Sequence, residues 1–258
     1  MRVGSRLTNA DIVNSVSTQR APKPQPEQQA PPVQRLRIRY AKRGRLRFTS
    51  HRDFSRAFER AIFRAGVPMA YSSGFNPHPR ISYAGAAPTG SASEAEYLEI
   101  GLAEVVDPAD VRTSLEEALP DGLDVLEVAE SKGGALADRL EASRWVIDLP
   151  APTADVAAAA ERFLAADEVL VERMTKKGLR TFDCRAAVAS LSVADGERGA
   201  RIDVVVRHGV PSVRPDDVLS GLDAAGGLAR GEGAAAPLLT RLAQGPLEDD
   251  GTIGDPLA

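Results

Sequence analysis

"QRLRIRYAKRGRLRFTSHRDFSRAFERAIFRAG", residues 34–66, changes its hydrophobic period halfway along, and that change decides the fold class. As far as Tyr40, basic and apolar residues alternate, so Leu36, Ile38 and Tyr40 share one face of an extended strand. Leu46 and Phe48 resume the same phase beyond Gly44, which predicts a strand continuing through a bulge or turn at that glycine. From Phe54 the period becomes helical. Phe54, Ala57, Phe58, Ala61, Ile62 and Ala65 follow the i, i+3, i+4, i+7 spacing of one buried stripe. Ser50 is placed to cap this helix with Asp53 three residues on, and Gly66 and Pro68 end it.

Outward from this unit the punctuation repeats. "PMAYS" (68–72) reads as a short strand, and "RISYAG" (80–85) and "AEYLEIGLAE" (95–104) as two more strand-like segments. "DPADVRTSLEEALP" (107–120) reads as a helix, with Asp107 as cap and Pro108 at its first position, and "GLDVLEVAES" (122–131) as a closing strand. This is the β-α-β-β-α-β order of a ferredoxin-like unit. The later sequence repeats the plan more loosely. "SRWVIDLPA" (143–151) is a strand and "TADVAAAAERFLAAD" (153–167) a helix. Residues 168–195 form a hairpin or strand pair around Lys176–Gly178. "ARIDVVVRHG" (200–209) is a strand and "RPDDVLSGLDAAG" (214–226) a helix. The expected fold is α+β, with two ferredoxin-like domains in tandem at 35–132 and 143–244, joined by a linker at 133–142. Residues 1–34 and 245–258, rich in Pro, Gln and small polar residues, are expected to be disordered tails.

Hydrophobic residues make up 43% of the 258, enough for a globular core. A single cysteine, Cys184, excludes an internal disulfide framework, a four-cysteine zinc site and a self-contained iron–sulfur cluster; it reads as a small buried hydrophobe. No segment is apolar enough to span a bilayer or to act as a secretory signal, so the expected compartment is the cytoplasm, with no membrane partner. The net charge of −4 hides an asymmetry. Residues 35–80 hold 12 basic and 2 acidic side chains, whereas the remainder holds 20 basic and 34 acidic. A concentrated positive region in an acidic chain suggests a specific anionic partner.

The candidate interface lies in that region. Arg52, Arg56, Arg60 and Arg64 recur every four residues and line up on the helix face opposite the apolar stripe. Arg35, Arg37, Arg39 and Arg47 are expected on the strand face opposite Leu36 and Ile38, and Lys42, Arg43 and Arg45 on the turn. Guanidinium forks match phosphate oxygens, and counterion release drives such binding, so nucleic acid is the expected partner; a solvated arginine face would carry the same pattern. His51 opens the helix, where free N–H groups favour anions. Ser73, Gly74, Phe75, Asn76, Pro77, His78 and Pro79 form a stiff loop in which two prolines fix the direction of His78, and Arg80 follows it. His51 and His78 are candidates for acid and base in metal-independent RNA cleavage, whereas His208 reads as a turn residue. No phosphate-binding Gly-Lys-Ser/Thr loop, dinucleotide glycine fingerprint, Gly-x-Ser-x-Gly elbow or His/Cys/Asp metal cluster is present, so no cofactor and no metal are expected.

Residues 44–102, "GRLRFTSHRDFSRAFERAIFRAGVPMAYSSGFNPHPRISYAGAAPTGSASEAEYLEIGL", resemble the radical-SAM-associated (radical-SAM-linked) domain of bacteria. "FDCRAAVASLSV" (182–193) and "VRPDDVLSGL" (213–222) extend the resemblance to about residues 35–225. In that family the domain is fused behind a radical-SAM enzyme or stands as a separate protein. The resemblance therefore implies a radical-SAM enzyme as partner, and this chain lacks the CxxxCxxC motif by which such an enzyme holds its cluster. More distantly, the layout looks like the RNA-processing proteins of CRISPR systems, which pair two ferredoxin-like domains and cleave RNA without metal. Three functions follow. The first is a non-catalytic protein that binds RNA (tRNA or rRNA) and presents it to radical-SAM or other modification machinery. The second is an endoribonuclease using His51 and His78. The third is an adaptor docking an acidic protein.

Overall fold

The computed structural model describes residues 28–175, 178–228 and 235–258. The expected N-terminal tail as far as residue 27, and the turn at Lys176, lie outside the described residues. The chain is a mixed α+β protein built on one broad sheet. The elements of its first half are β1 (Gln34–Lys42), α1 (His51–Arg64), β2 (Ile81–Ala84), β3 (Ala92–Leu102), α2 (Pro108–Ala118) and β4 (Val125–Glu130). Those of its second half are β5 (Ala142–Leu149), α3 (Thr153–Ala165), β6 (Leu170–Thr175), β7 (Gly178–Asp183), the single turn α4 (Cys184–Ala187), β8 (Val188–Gly196), β9 (Gly199–Arg207), α5 (Pro215–Gly226) and β10 (Leu238–Gly245).

The helix in the deciding stretch forms as its spacing dictates. Ser50 accepts from the Asp53 N–H, and Phe54, Phe58, Ala61 and Ile62 are buried. The Phe54 ring stacks on Tyr40 of β1 at 4.5 Å, which couples helix to strand. The strand is shorter than expected. β1 ends at Lys42, and Gly44–Phe48 winds into a 3₁₀ turn with Gly44 at φ +54°, so Phe48 is left exposed and does not continue the strand face. "PMAYS" is likewise not a regular strand: Met69 and Tyr71 make only isolated bridges, to Leu102 and Pro79.

The sheet runs β4-β1-β3-β10-β5-β9-β8, with β2 also paired to β3. β1 lies between β4 and β3, and β5 between β10 and β9, an arrangement set by antiparallel pairing of β1 with β3 and β4, and of β5 with β9 and β10. The halves do not form separate sheets. The start of β3 pairs in parallel with β10, Thr240 opposite Ala92 and Arg241 opposite Ser93, while its later residues pair with β2. β6 and β7 form a separate hairpin.

Three apolar clusters hold this arrangement. One packs α1 and α2 on β1 and β3 around Phe58, Leu98 and Leu115. Another packs α3 and α5 on β5 and β9 around Phe163, Ile147 and Leu222. The third gathers Ala95 and Tyr97 of β3 with Leu136, Leu140 and Leu257. It accounts for two departures from expectation. Residues 133–142 contain a short 3₁₀ turn whose Leu136 is buried, so they do not form a free linker. Residues 245–258 are not a disordered tail: Leu247 bridges Ile253, and Leu257 is buried in the third cluster. Composition missed both because a few apolar residues suffice when neighbouring elements already form a groove for them. No helix among the described residues is long and apolar enough to cross a membrane.

Cys184 is fully buried against Asp217, and burial, reinforced by the Asp217 and Asp183 charges, pushes its thiol up to about 12. Since only the thiolate reacts, a thiol reagent at pH 8 is expected to leave the native protein unmodified and to label it completely in urea. Rapid labelling without denaturant, followed by absorbance or mass, would show that this core is open.

Candidate functional site

The strand arginines do not form the expected phosphate surface. Arg37 has no exposed surface; its Nε donates to Glu99 at 3.2 Å, and its guanidinium also donates to the carbonyls of Gly133 and Gly134 at 2.7 and 2.9 Å. Arg35 pairs with the same Glu99 at 3.0 Å. Burial alone would raise the Glu99 pKa, but hydrogen bonds from Ser131, Arg37 and Arg35 outweigh it and hold the carboxyl below its usual range. Arg39 donates to the Glu94 carbonyl at 2.9 Å, and Arg43 is held between the carboxylates of Glu94 and Asp124. The segment after β4 folds over this strand face; Arg35, Arg37 and Arg43 are neutralised by carboxylates, and Arg39 is held by a carbonyl. Arg45 is exposed, and the Arg47 guanidinium lies over the Phe48 ring at 4.6 Å.

The helix arginines behave differently. Arg52, Arg56, Arg60 and Arg64 are all exposed, and none forms an ion pair among the described residues. Asp53, a possible internal neutraliser, instead accepts from the Ser50 hydroxyl at 2.7 Å. Phe63 lies outside the buried stripe and is 86% exposed. With Arg56, Glu59, Arg60 and Arg64 it lines a shallow groove of about 530 Å³. This is a cationic row with an aromatic ring set into it. Phe63 was visible in the sequence as the one large apolar residue off the stripe.

The proline-stiffened loop closes on itself. Ser72 N–H donates to the His78 carbonyl at 2.9 Å, His78 N–H donates to the Ser72 hydroxyl at 3.0 Å, and Gly74 sits at φ +137°, a conformation that favours glycine. Ser73 accepts from Gln29 N–H, and Phe75, Asn76, Pro77 and His78 face solvent, whereas Pro79 bridges Tyr71. Arg80 turns back to the Tyr71 carbonyl at 3.1 Å. His51 packs edge-on against Tyr83 near the far end of β2, with ring centroids 4.8 Å apart. About 16 Å of extended chain separates residue 78 from residue 83. The two histidines therefore stand at opposite ends of β2 and are not brought together by any hydrogen bond or ring contact.

The most densely connected polar cluster is one that the sequence did not single out. At the seam of β3 and β10, Arg241 is buried and donates to the Ser93 hydroxyl at 3.2 Å, the Gly85 carbonyl at 2.6 Å, the Gln244 side-chain oxygen at 2.8 Å, and the Glu96 carboxylate. Glu96 also accepts from Ala87 N–H, and Gln244 donates to the Ala95 carbonyl at 3.3 Å. Gly85 has φ +56°, and a Cβ there would fall 2.5 Å from the Gln244 amide oxygen, so this close approach requires glycine. Lys42, read from sequence as part of the exposed basic turn, is buried beside this cluster; its one hydrogen bond is a 3.5 Å contact to the Ala87 carbonyl. Burial lowers its pKa, Glu96 opposing and Arg241 reinforcing that shift. His208 Nδ1 lies 2.7 Å from the Leu140 carbonyl, which can only accept, so Nδ1 carries the proton and Nε2 faces the Ser143 hydroxyl at 3.0 Å. A cleft of about 310 Å³ opens here, with Trp145, His208, Arg214, Arg241 and Gln244 in its walls. Among the described residues, no group of His, Cys, Asp and Glu could hold a metal ion.

Residues 35–215 match the family described as an uncharacterized protein conserved in bacteria (DUF2344), and the chain belongs to that family. No curated protein matches it. Among solved structures, a chain in the crystal structure of a Cbf5-Nop10-Gar1 complex is similar at 14% identity and a TM-score of 0.45. The match covers 89% of this chain and 58% of that one, so this chain spans less than two thirds of its length.

Burial holds the His208 pKa below 6.5, with Arg241 adding to the shift and the Leu140 carbonyl opposing it. The unfolded chain, with an ordinary histidine, then binds the proton more readily than the native one. Stability contributed by neutral His208 is present above about pH 6.5 and is lost as pH falls through that value. Urea midpoints are expected to fall between pH 7.5 and 5.5, and His208→Gln to reduce that fall. An unchanged pH dependence in the variant would contradict the assignment.

Proposed function

We propose that this chain is a non-catalytic RNA-binding protein that presents RNA, of tRNA or rRNA origin, to a radical-SAM or other RNA-modifying enzyme. The observation that carries the reading is the outer face of α1, where four arginines without ion pairs flank the exposed Phe63. Cations spaced one helical turn apart, about 6 Å, track the phosphates of a strand, and an exposed ring offers a stacking surface that any base can use. Arg35, Arg37, Arg39 and Arg43 are engaged internally, which leaves the α1 row, with Arg45 nearby, as the anion-facing surface of this region. The resemblance of residues 44–102 to the radical-SAM-associated domain supplies the class of enzyme. In this reading each half of the sheet is a ferredoxin-like unit, and the first half carries the RNA. The ribonuclease reading gains no support from the positions of His51 and His78.

Replacing Arg56 and Arg60 together by Ala is expected to weaken binding to single-stranded RNA across sequences and to reduce the slope of log K against log salt by about 1.4, near 0.7 for each lost phosphate contact. Phe63→Ala is expected to cost about 1–3 kcal/mol on single strands and much less on duplex RNA. Fluorescence anisotropy over a salt series measures both. Unchanged binding in the double variant at moderate salt would overturn the reading, and capture of an acidic protein that survives nuclease would favour the adaptor.

A further inference from the structure

The seam cleft is remote in sequence from the α1 face and is built differently: a floor of buried, mutually bonded side chains lies under an open mouth. We propose that it is a binding site for a phosphate-bearing ligand of mononucleotide size.

The charge count points to an anion. The side chains in the cleft walls include the guanidinium groups of Arg241 and Arg214 and no carboxylate. Arg214 is exposed at the mouth and its guanidinium makes no ion pair among the described residues; its backbone N–H donates to the Asp217 carboxylate at 2.7 Å, and its carbonyl accepts from the N–H groups of Asp217 and Val218. The nearby Asp217 carboxylate is paired with Arg173 and also attracts the Arg214 charge, but neither it nor Asp216 lines the cleft. On the floor, a guanidinium has five N–H groups. Arg241 places four of them on Ser93, Gly85, Gln244 and Glu96, and the fifth has no partner among the described residues. Behind Arg241 lies Lys42, 5% exposed, with its single long contact to Ala87. Lys42 and Arg241 thus share one buried carboxylate, Glu96, and the cluster holds a surplus cation in a region of low dielectric. Such a surplus is costly to bury and is relieved by an anion in the cleft. Burial lowers the pKa of Lys42, and the neighbouring Arg241 charge adds to that shift against the pull of Glu96.

The size of the cleft points to more than a bare anion. About 310 Å³ lies within the range of small-molecule sites and exceeds what a phosphate group fills. Trp145, Val213 and Pro215 add apolar surface beside the cations. A phosphate between Arg214 and Arg241 leaves room for an attached planar ring against that surface. Ser212 at the rim has a hydroxyl available to the ligand, whereas the Ser143 hydroxyl is already held by Trp145 and His208. The ligand chemistry is shared by a free mononucleotide and by the 5′-phosphorylated end of an RNA strand.

Trp145 is the single tryptophan of the chain and lies in the cleft wall, so its emission reports occupancy. The full chain is titrated with uridine monophosphate, uridine and inorganic phosphate, and with a short RNA carrying either a 5′-phosphate or a 5′-hydroxyl. Saturable quenching by the monophosphate is expected, at least tenfold tighter than by uridine, with inorganic phosphate competing. Arg214→Ala is expected to weaken monophosphate binding about tenfold with little shift of the urea midpoint, because that side chain is exposed and solvent screens its attraction to Asp217. Phosphate-dependent quenching by the RNA end alone assigns the terminal source; quenching by the free monophosphate assigns the small-molecule source. Equal affinity for uridine and its monophosphate, no saturation by any probe to about 10 mM, or full affinity in Arg214→Ala overturns the proposal. The Arg56/Arg60 double variant separates this site from the α1 surface, since its loss of RNA-strand binding is expected to leave monophosphate affinity unchanged.

Discussion

The structure turns on a single buried guanidinium. Arg241 belongs to the last strand of the chain, yet its partners Gly85, Ser93 and Glu96 all belong to the first half. The backbone ladder between β10 and β3 spans only two residue pairs, which is little to join two half-sheets. Side chains therefore carry the seam. Arg241 and Gln244 hold one part of it through hydrogen bonds, and Leu257 with Leu136, Leu140 and Tyr97 holds another through apolar contact. A buried ion pair gains little over a well-packed apolar pair, but removing either partner strands a charge in low dielectric. That asymmetry makes the pair a device for register: only one alignment of the halves leaves neither Glu96 nor Arg241 alone.

The same distribution of carboxylates explains why the protein's basic character is local. Glu99 pairs with Arg35 and Arg37, Glu94 and Asp124 with Arg43, and Glu96 with Arg241. The acidic "SASEAE" stretch (91–96) supplies internal counter-charge, Glu94 to Arg43 and Glu96 to Arg241 at the seam. Among the described residues, two places set unpaired cations in a groove or cleft: the outer face of α1 and the seam, with its buried neighbour Lys42. They differ in kind. The α1 face is an exposed row of long side chains suited to a polyanion, whereas the cleft sets a buried, hydrogen-bonded guanidinium under an exposed one and suits one compact group.

Local features of the fold were legible in the sequence. The period change at residue 54, the Ser50 cap and the Gly66 and Pro68 stop describe α1 because each acts within a few residues. The exposed arginines of α1 were legible for the same reason. The fate of Arg37 was not, because strand alternation shows only which face a side chain leaves by. It does not show that residues 131–134 fold over that face and supply two carbonyls and a serine that holds Glu99. The Arg241–Glu96 pair spans 145 residues, and nothing local marks either residue as a partner of the other. Residues 245–258 looked like a tail because their composition is polar, yet a few apolar side chains complete a core whose walls were made elsewhere.

The central claim is that the Arg241–Glu96 pair makes the two halves one cooperative unit. A double-mutant cycle with Arg241→Met and Glu96→Leu tests it, with urea unfolding followed by Trp145 emission in the second half and by far-UV circular dichroism over the whole chain. The account predicts coincident transitions in the parent protein, a large loss in each single variant, and recovery in the double variant that gives a coupling of about 1.5–3 kcal/mol. Effects that add to within about 0.5 kcal/mol, or two separate transitions in the parent, would contradict it.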